Sequence, residues 1–266
     1  MPAPSPRWST VTETSYTSDE IMSVVAARHL RNGQVCFVGI GLPSEAANLA
    51  RLTHAPDVVL IYESGTIGTR PDVLPLSIGD GELAERADLV VSVPEIFAYW
   101  LQAGRVDVGF LSSAQIDRFG NLNSTVIGGY DHPEVRLPGA GGAPEIATLA
   151  GEVIVMLRQS TRTFVPEVDF VSSLGFGRDG KGRSVESGRG PTVVITDLGV
   201  LEPDPDTNEL ILVAIHPGID VGEVEAATGW ELHGANPVVR TDPPSDVELQ
   251  VLRDLKERTR AAHGGE

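Results

Sequence analysis

The 266-residue chain has a single cysteine, Cys36. One thiol can form neither an internal disulfide nor a multi-cysteine metal site. Inside the run Val35-Cys36-Phe37-Val38 it reads as a small apolar core residue on a strand. Long hydrophobic runs are also missing, and nothing approaches the roughly 20 apolar residues of a membrane span. Residues 1–18 are rich in Pro, Ser and Thr but have no apolar h-region, so no signal peptide is expected and the expected location is cytoplasmic. Basic residues are in deficit: 20 Lys and Arg stand against 37 Asp and Glu, a formal net charge of −17. Binding to a phosphate backbone needs clustered Lys and Arg, and no such cluster occurs. Nucleic acid and anionic membrane surfaces are therefore not expected partners, and the charge implies a soluble, self-repelling surface. The six histidines (29, 54, 132, 216, 233 and 263) show no ligand spacing, so no metal site is expected.

Apolar residues make up 41% of the chain, enough for a sizeable core. Residues 1–15 read as a flexible arm and residues 16–266 as a single domain. Ser18 or Asp19 is placed to cap a helix through Ile21, Val24, Val25 and Leu30 that stops near Asn32-Gly33. Short apolar runs follow at 34–38, 58–62, 89–91, 106–111, 153–157, 193–195 and 211–215. Such runs suit strands buried on both faces of a parallel sheet. Helical segments fall between several of them, at Ser44–Leu52, Glu82–Ala87 and Glu95–Ala103. The alternation predicts an α/β fold with an open, mostly parallel sheet flanked by helices. A last helix, from Pro244 to about Ala262, groups Val251, Leu252 and Leu255 on one face, with Val247 at its margin and Glu248 toward the apolar side. Residues 175–190, rich in Gly, Arg and Ser, read as a long surface loop.

Two familiar motifs are incomplete. Gly39-Ile40-Gly41 lies between a strand and a helix, but Ser44 stands where a dinucleotide fingerprint has its third glycine. Gly175 to Lys181 matches the start of a phosphate-binding loop, yet Gly182 replaces the Ser or Thr that would hold magnesium. There is no GxSxG, HExxH or paired CxxC. What remains is a set of loops just after strands. Glu63-Ser64-Gly65 follows the strand ending at Tyr62, where an α/β sheet meets its ligands. By itself this acid reads more readily as a turn or helix-capping residue. Gly139 to Ala143 contains only Gly and Ala, which lets backbone approach a ligand closely and aim N–H groups at phosphate or a developing oxyanion.

Together these motifs resemble the family I coenzyme A transferases, specifically their β subunits of the glutaconate CoA-transferase type. The resemblance rests on Glu63-Ser64-Gly65, on the segment Ser113 to Asn123 (with Ser113 in place of the family's first Gly) and on the loop Gly139 to Ala143. It rests also on Thr196-Asp197, His216-Pro217-Gly218 and Thr228-Gly229, in that order. Asn123-Ser124-Thr125, Tyr130-Asp131-His132-Pro133 and Arg136 favour the glutaconate type. The resemblance spans about residues 16–240. It implies the fold shared by NagB, RpiA and the CoA transferases, with an acyl-CoA thioester as substrate rather than a permanently bound cofactor. It also implies an α-type partner in an α2β2 assembly. Glu63 becomes the expected nucleophile, Gly139, Gly141 and Gly142 the expected CoA or oxyanion contacts, and Ser64, Gln115 and Asn123 possible substrate-orienting groups. A CoA-thioester hydrolase or ring-opening enzyme on the same scaffold and a non-catalytic partner chain are the alternatives. Glu63 and the intact glycine loop weigh against both.

Overall fold

A computed structural model describes residues 15–184 and 187–264. In chain order the elements are α1 (Ser18–Arg28), β1 (Val35–Phe37), α2 (Leu42–Leu52), β2 (Val59–Ile61), β3 (Thr66–Ile67), α3 (Gly81–Glu85) and β4 (Leu89–Val90). Next come α4 (Val93–Glu95), which runs on as a π-helix (Ile96–Leu101), then β5 (Val108–Leu111), β6 (Gln115–Ile116), β7 (Leu122–Asn123), β8 (Val126–Gly128) and β9 (Pro133–Arg136). The chain continues through α5 (Ala143–Leu149), β10 (Glu152–Met156), β11 (Pro191–Ile195), β12 (Gly199–Pro203), β13 (Leu210–Ile215), α6 (Val221–Ala226), β14 (Gly234–Arg240) and α7 (Asp246–Ala262).

Ten strands join one sheet in the order β14-β13-β12-β11-β10-β5-β1-β2-β3-β4. The central five, β11-β10-β5-β1-β2, are all parallel. Antiparallel pairs flank them on both sides, so the expected parallel sheet is the middle of a mixed one. Successive side chains alternate between two cores, as the strand period requires. Cys36, Val38, Leu60, Tyr62, Val108 and Phe110 face one side, with Met22, Val24, Leu49 and Leu252 from the helices. Phe37, Ile61, Leu111, Val153 and Val155 face the other, with Ile96, Leu101 and Ile146. Cys36 is fully buried, and that burial pushes its thiol pKa far up.

Three local expectations shift. Thr17, not Ser18 or Asp19, caps α1, because its side chain and that of Glu20 close a reciprocal capping box. The helix also ends at Arg28, short of Asn32-Gly33. The run at 89–91 is not a buried parallel strand: β4 is an antiparallel edge whose Leu89 and Val90 are 51% and 54% exposed. Glu248 does face the protein body, where it caps α7 at Ser245 and pairs with Arg28 at 2.7 Å. The expected arm lies outside the described residues except for Ser15, whose carbonyl accepts from Arg253. Residues 175–184 and 187–190 form an irregular loop, with no helix after Lys181. No described helix is long and apolar enough to cross a membrane. No described cluster of His, Cys, Asp or Glu could hold a metal ion.

Candidate active site

After β1 the chain moves to β2 on one side, while β5 lies against β1 on the other. In an open α/β sheet, such a reversal leaves a crevice at the carboxyl ends of the strands. The loops leaving β1, β2 and β5 meet there in a cavity of about 240 Å³. Gly39 and Ile40 come from the first loop, Glu63 from the second and Ser112 from the third, and Ala140 to Ala143 close one wall. Phe37, Ile78, Phe110 and Leu111 supply apolar surface, and Glu63 is the single ionisable side chain in the lining.

Glu63 is held by a tight turn. The Gly65 N–H donates to the Tyr62 carbonyl at 3.0 Å, and the Tyr62 N–H donates to the Thr66 carbonyl at 3.1 Å. Gly65 adopts φ +105°, and a Cβ there would lie 1.9 Å from the Val91 carbonyl oxygen. Glycine at this position is therefore required twice, by conformation and by space. On the other side of Glu63, Tyr62 is fully buried, with its hydroxyl 3.0 Å from Ser44 Oγ on α2. Burial pushes the Tyr62 pKa up to about 12, so the phenol stays neutral and serves as an anchor. Ser64 Oγ is buried and has no hydrogen-bond partner among the described residues.

The glycine loop faces the carboxylate. A Cβ at Gly142 would come within 3.2 Å of Glu63 Oε1, and one at Gly141 within 4.0 Å. Gly141 has φ +53° and Gly139 φ +109°, both favoured by glycine. The Gly139 N–H donates to Ser124 O at 2.9 Å, so that amide is occupied in fixing the loop. No backbone partner engages the N–H of Gly141 or Gly142 among the described residues. Of the three expected glycine contacts, Gly139 is thus the one whose amide is already engaged.

Gln115 and Asn123 do not line the cavity. Both are buried, and Asn123 Nδ2 donates to Gln115 Oε1 at 2.7 Å and to Val126 O at 2.6 Å. Gln115 Nε2 donates to Asp169 at 2.9 Å. Their amides lock the β6–β7 hairpin to the segment carrying Ser124, which in turn holds Gly139. Asp117 plays a similar local role. Burial raises its pKa, while the amides of Phe119 and Asn121 bind its carboxylate. In the hairpin that leads into the glycine loop, Arg136 lies 4.9 Å from the centre of the Tyr130 ring, and that ring stacks on Phe170 from the segment between β10 and β11.

Sequence reasoning missed Gly39, Ile40, Ile78 and Phe97. The first two stood in plain view, but the GxG was weighed only against a dinucleotide fingerprint. Phe97 gave no signal, because only the π-helix brings its ring to within 2.5 Å of the missing Cβ of Gly142.

Comparison with known proteins agrees with this geometry. Residues 20–227 match the family described as Coenzyme A transferase. The chain is 60% identical to the B subunit of the 3-oxoadipate CoA-transferase of Pseudomonas knackmussii, over 94% of this chain and 97% of that one. It is 35% identical to the B subunit of the glutaconate CoA-transferase of Acidaminococcus fermentans, over 91% and 92%. The crystal structure of the Acidaminococcus fermentans glutaconate coenzyme A-transferase superposes with a TM-score of 0.87 at 33% identity, covering 93% of this chain and 97% of that one. With its crevice, its strand-end glutamate and its facing glycine loop, the chain belongs to the coenzyme A transferase family.

Proposed function

We propose that this chain is the β-type subunit of a cytoplasmic CoA transferase that moves CoA between an acyl-CoA and a free carboxylic acid, with Glu63 as the nucleophile. The observation that carries this reading is the position of the Glu63 carboxylate against the backbone of Gly141 and Gly142 in an otherwise uncharged cavity.

A carboxylate attacks a thioester poorly, because the expelled thiolate is the better nucleophile. Positioning offsets this, since effective molarities reach about 10⁵–10⁸ M. Glu63 attacks the acyl carbonyl, the C–S bond breaks and CoA leaves as thiolate, giving an acyl-glutamyl anhydride. The thiolate then attacks the glutamyl carbonyl, the donor acid departs as carboxylate, and Glu63 holds CoA as a thioester. The acceptor acid reverses these steps. Each addition places negative charge on a carbonyl oxygen, and the Gly141 and Gly142 N–H groups, in the loop that faces Glu63, are the proposed donors. The CoA tail contributes binding energy remote from the reacting carbon. Ser64 and Gly139 act beside these groups, Ser64 through its unpartnered hydroxyl and Gly139 by fixing the loop. Gln115 and Asn123 act as positioning residues through the Ser124 segment.

Identity to the 3-oxoadipate enzyme's chain, 60%, exceeds that to the glutaconate enzyme's, 35%. A 3-oxo dicarboxylic acid is therefore the proposed acceptor. Both relatives are B subunits of their enzymes, which supports an α-type partner here and an α2β2 assembly.

The test is direct. Incubation of the assembled enzyme with acyl-CoA alone should place CoA on the peptide containing Glu63, detectable by mass spectrometry. Glu63→Ala should abolish both the adduct and transfer while leaving the fold and CoA binding intact. Substantial transfer by the Ala variant would exclude the nucleophile role.

A further inference from the structure

We propose that Phe97 is the residue that makes this site a transferase rather than a thioesterase, by filling the gap between the glycine loop and Glu63 and keeping water from the glutamyl-CoA thioester. The inference rests on the functional reading above and adds a determinant of its outcome.

The π-helix puts Phe97 in place. Its wide turn is seen in the Gln102 N–H donating to Phe97 O at 2.8 Å and the Arg105 N–H donating to Trp100 O at 2.9 Å, both five residues back. Such turns insert an extra residue and re-aim the side chains around it. Ser92 and Glu95 fix the start of this segment with a capping box. Ile96 and Leu101 anchor it in the core, while Tyr99 points outward at 62% exposure. The Phe97 ring packs on Phe37, with centroids 5.9 Å apart, and Phe37 itself lines the Glu63 cavity.

The ring fills the space a side chain at Gly142 would need. An added Cβ would be 2.5 Å from Phe97 Cζ, 2.9 Å from Cε1 and 3.2 Å from Glu63 Oε1. The place of a Gly142 side chain is thus filled by an aromatic ring edge beside the proposed nucleophile. Phe97 is not among the residues that line the cavity; its ring plugs the gap between Gly142 and Glu63 from the side. With the ring present, that gap is filled by apolar surface. Without it, the gap opens a path for water and lets Gly142 shift, displacing oxyanion donors.

That path matters because the intermediate is hydrolysable. Water adds to the glutamyl carbonyl, the C–S bond breaks, CoA leaves as the thiol with a proton from the water, and Glu63 returns as carboxylate. The net result is loss of the acyl-CoA with no acid activated. Excluding water suppresses such side reactions, and an apolar ring beside a side-chain-free loop does so without adding a competing nucleophile.

The experiment uses the two-subunit complex. The enzyme is charged with 3-oxoadipyl-CoA, freed of acid by rapid desalting, and the Glu63 thioester is followed by mass spectrometry. Phe97→Ala should shorten the thioester half-life about tenfold and lower transfer turnover about tenfold, as displaced donors and admitted water imply. KM for the acyl-CoA should stay within about twofold, since the ring does not contact the cavity and binding is not its role. Phe97→Leu, which keeps apolar bulk, should fall between the two, and it reads the same quantities if the Ala variant fails to assemble. Gly142→Ala introduces a methyl into the ring's space, so its effect should depend on Phe97 by more than about twofold in the double variant.

If the wild-type enzyme forms the thioester and an assembled Phe97→Ala complex keeps its half-life, the proposal is overturned while the function stands. Slower transfer with an unchanged half-life also overturns it, as does additive behaviour with Gly142→Ala. Absence of the thioester in the wild type would instead remove the functional reading itself.

Discussion

At the residue scale, the site depends on positions that have no side chain. Gly65 is required because its Cβ would meet Val91 O, and Gly142 because its Cβ would fall between Phe97 and Glu63. Gly141 differs: a Cβ there meets nothing closer than Glu63 Oε1 at 4.0 Å, but its φ of +53° is unfavourable for a branched residue. Gly141→Val should therefore fold, because the strain is local, yet reorient the loop that faces Glu63, the proposed nucleophile. Turnover should fall about 10²-fold or more, the cost of displacing one oxyanion donor. Near-normal turnover in a folded variant would mean that the loop only shapes the cavity. The glycine run and the Glu-Ser-Gly turn were legible in the sequence because small residues after strands have few uses. The occupation of Gly139 N–H by Ser124 was not, since a backbone hydrogen bond between two distant loop positions leaves no compositional trace. Gln115 and Asn123 misled for a related reason. An amide side chain looks the same in sequence whether it meets a substrate or another amide.

At the element scale, α7 shows how a charged residue on the apolar side of a helix is satisfied. Periodicity places Glu248 toward the apolar side of the helix, and it does face the body of the protein, but there it meets Arg28 of α1 at 2.7 Å and caps Ser245. Burial alone would raise its carboxyl pKa; hydrogen bonds from Arg28 and Ser245 outweigh burial and hold it at about 2, below its ordinary 4.5. Arg253 on α7 likewise binds Glu20 on α1, and that hydrogen bond lowers the Glu20 pKa. Two ion pairs of opposite orientation thus clamp α7 over α1. Because the folded pKa of Glu248 is depressed, its contribution is complete above about pH 4.5. It is lost as pH falls toward about 2, where the unfolded chain takes up the proton first. Melting temperatures measured between about pH 5 and pH 2.5 should fall for the wild type, and Glu248→Gln should flatten part of that slope. An unchanged slope would show that the pair contributes nothing in solution, as exposed ion pairs often do. The strands were the easier part of the fold to read. Five-residue apolar runs mark the buried parallel centre, whereas the same signature at Leu89-Val90 marks an exposed antiparallel edge. Pattern alone does not show which strands will have neighbours on both sides.

At the scale of the whole molecule, the proposed function makes the cavity one wall of a site. On the proposed reading, a free dicarboxylic acceptor brings two carboxylates, and only one of them is joined to CoA through Glu63. The lining contributed by this chain holds apolar side chains, glycine and alanine backbone, and Ser112, with no Lys or Arg to receive the second carboxylate. Taking a carboxylate out of water without a partner costs several kcal/mol, so the cation or donors that bind it must come from elsewhere. The cavity rim includes Ile78, which is 43% exposed, and the nearby stretch of chain exposes Leu76, Leu89, Val90, Val93 and Tyr99. That is more apolar surface than single scattered residues would explain. A permanent interface of the kind an α-type chain would form covers roughly 2,000 Å² or more and resembles a core cut in half. The chain expressed alone should accordingly be inactive, and should self-associate or aggregate despite a net charge of −17 that opposes it. Co-expression with an α-type chain should yield a stable complex with ping-pong kinetics, because CoA must rest on Glu63 between the two half-reactions. Sedimentation analysis combined with transfer assays separates the possibilities. Full activity in a monomer or homodimer of this chain would show that all acid contacts lie within it, and the second carboxylate would then have to be bound by a residue outside the present lining.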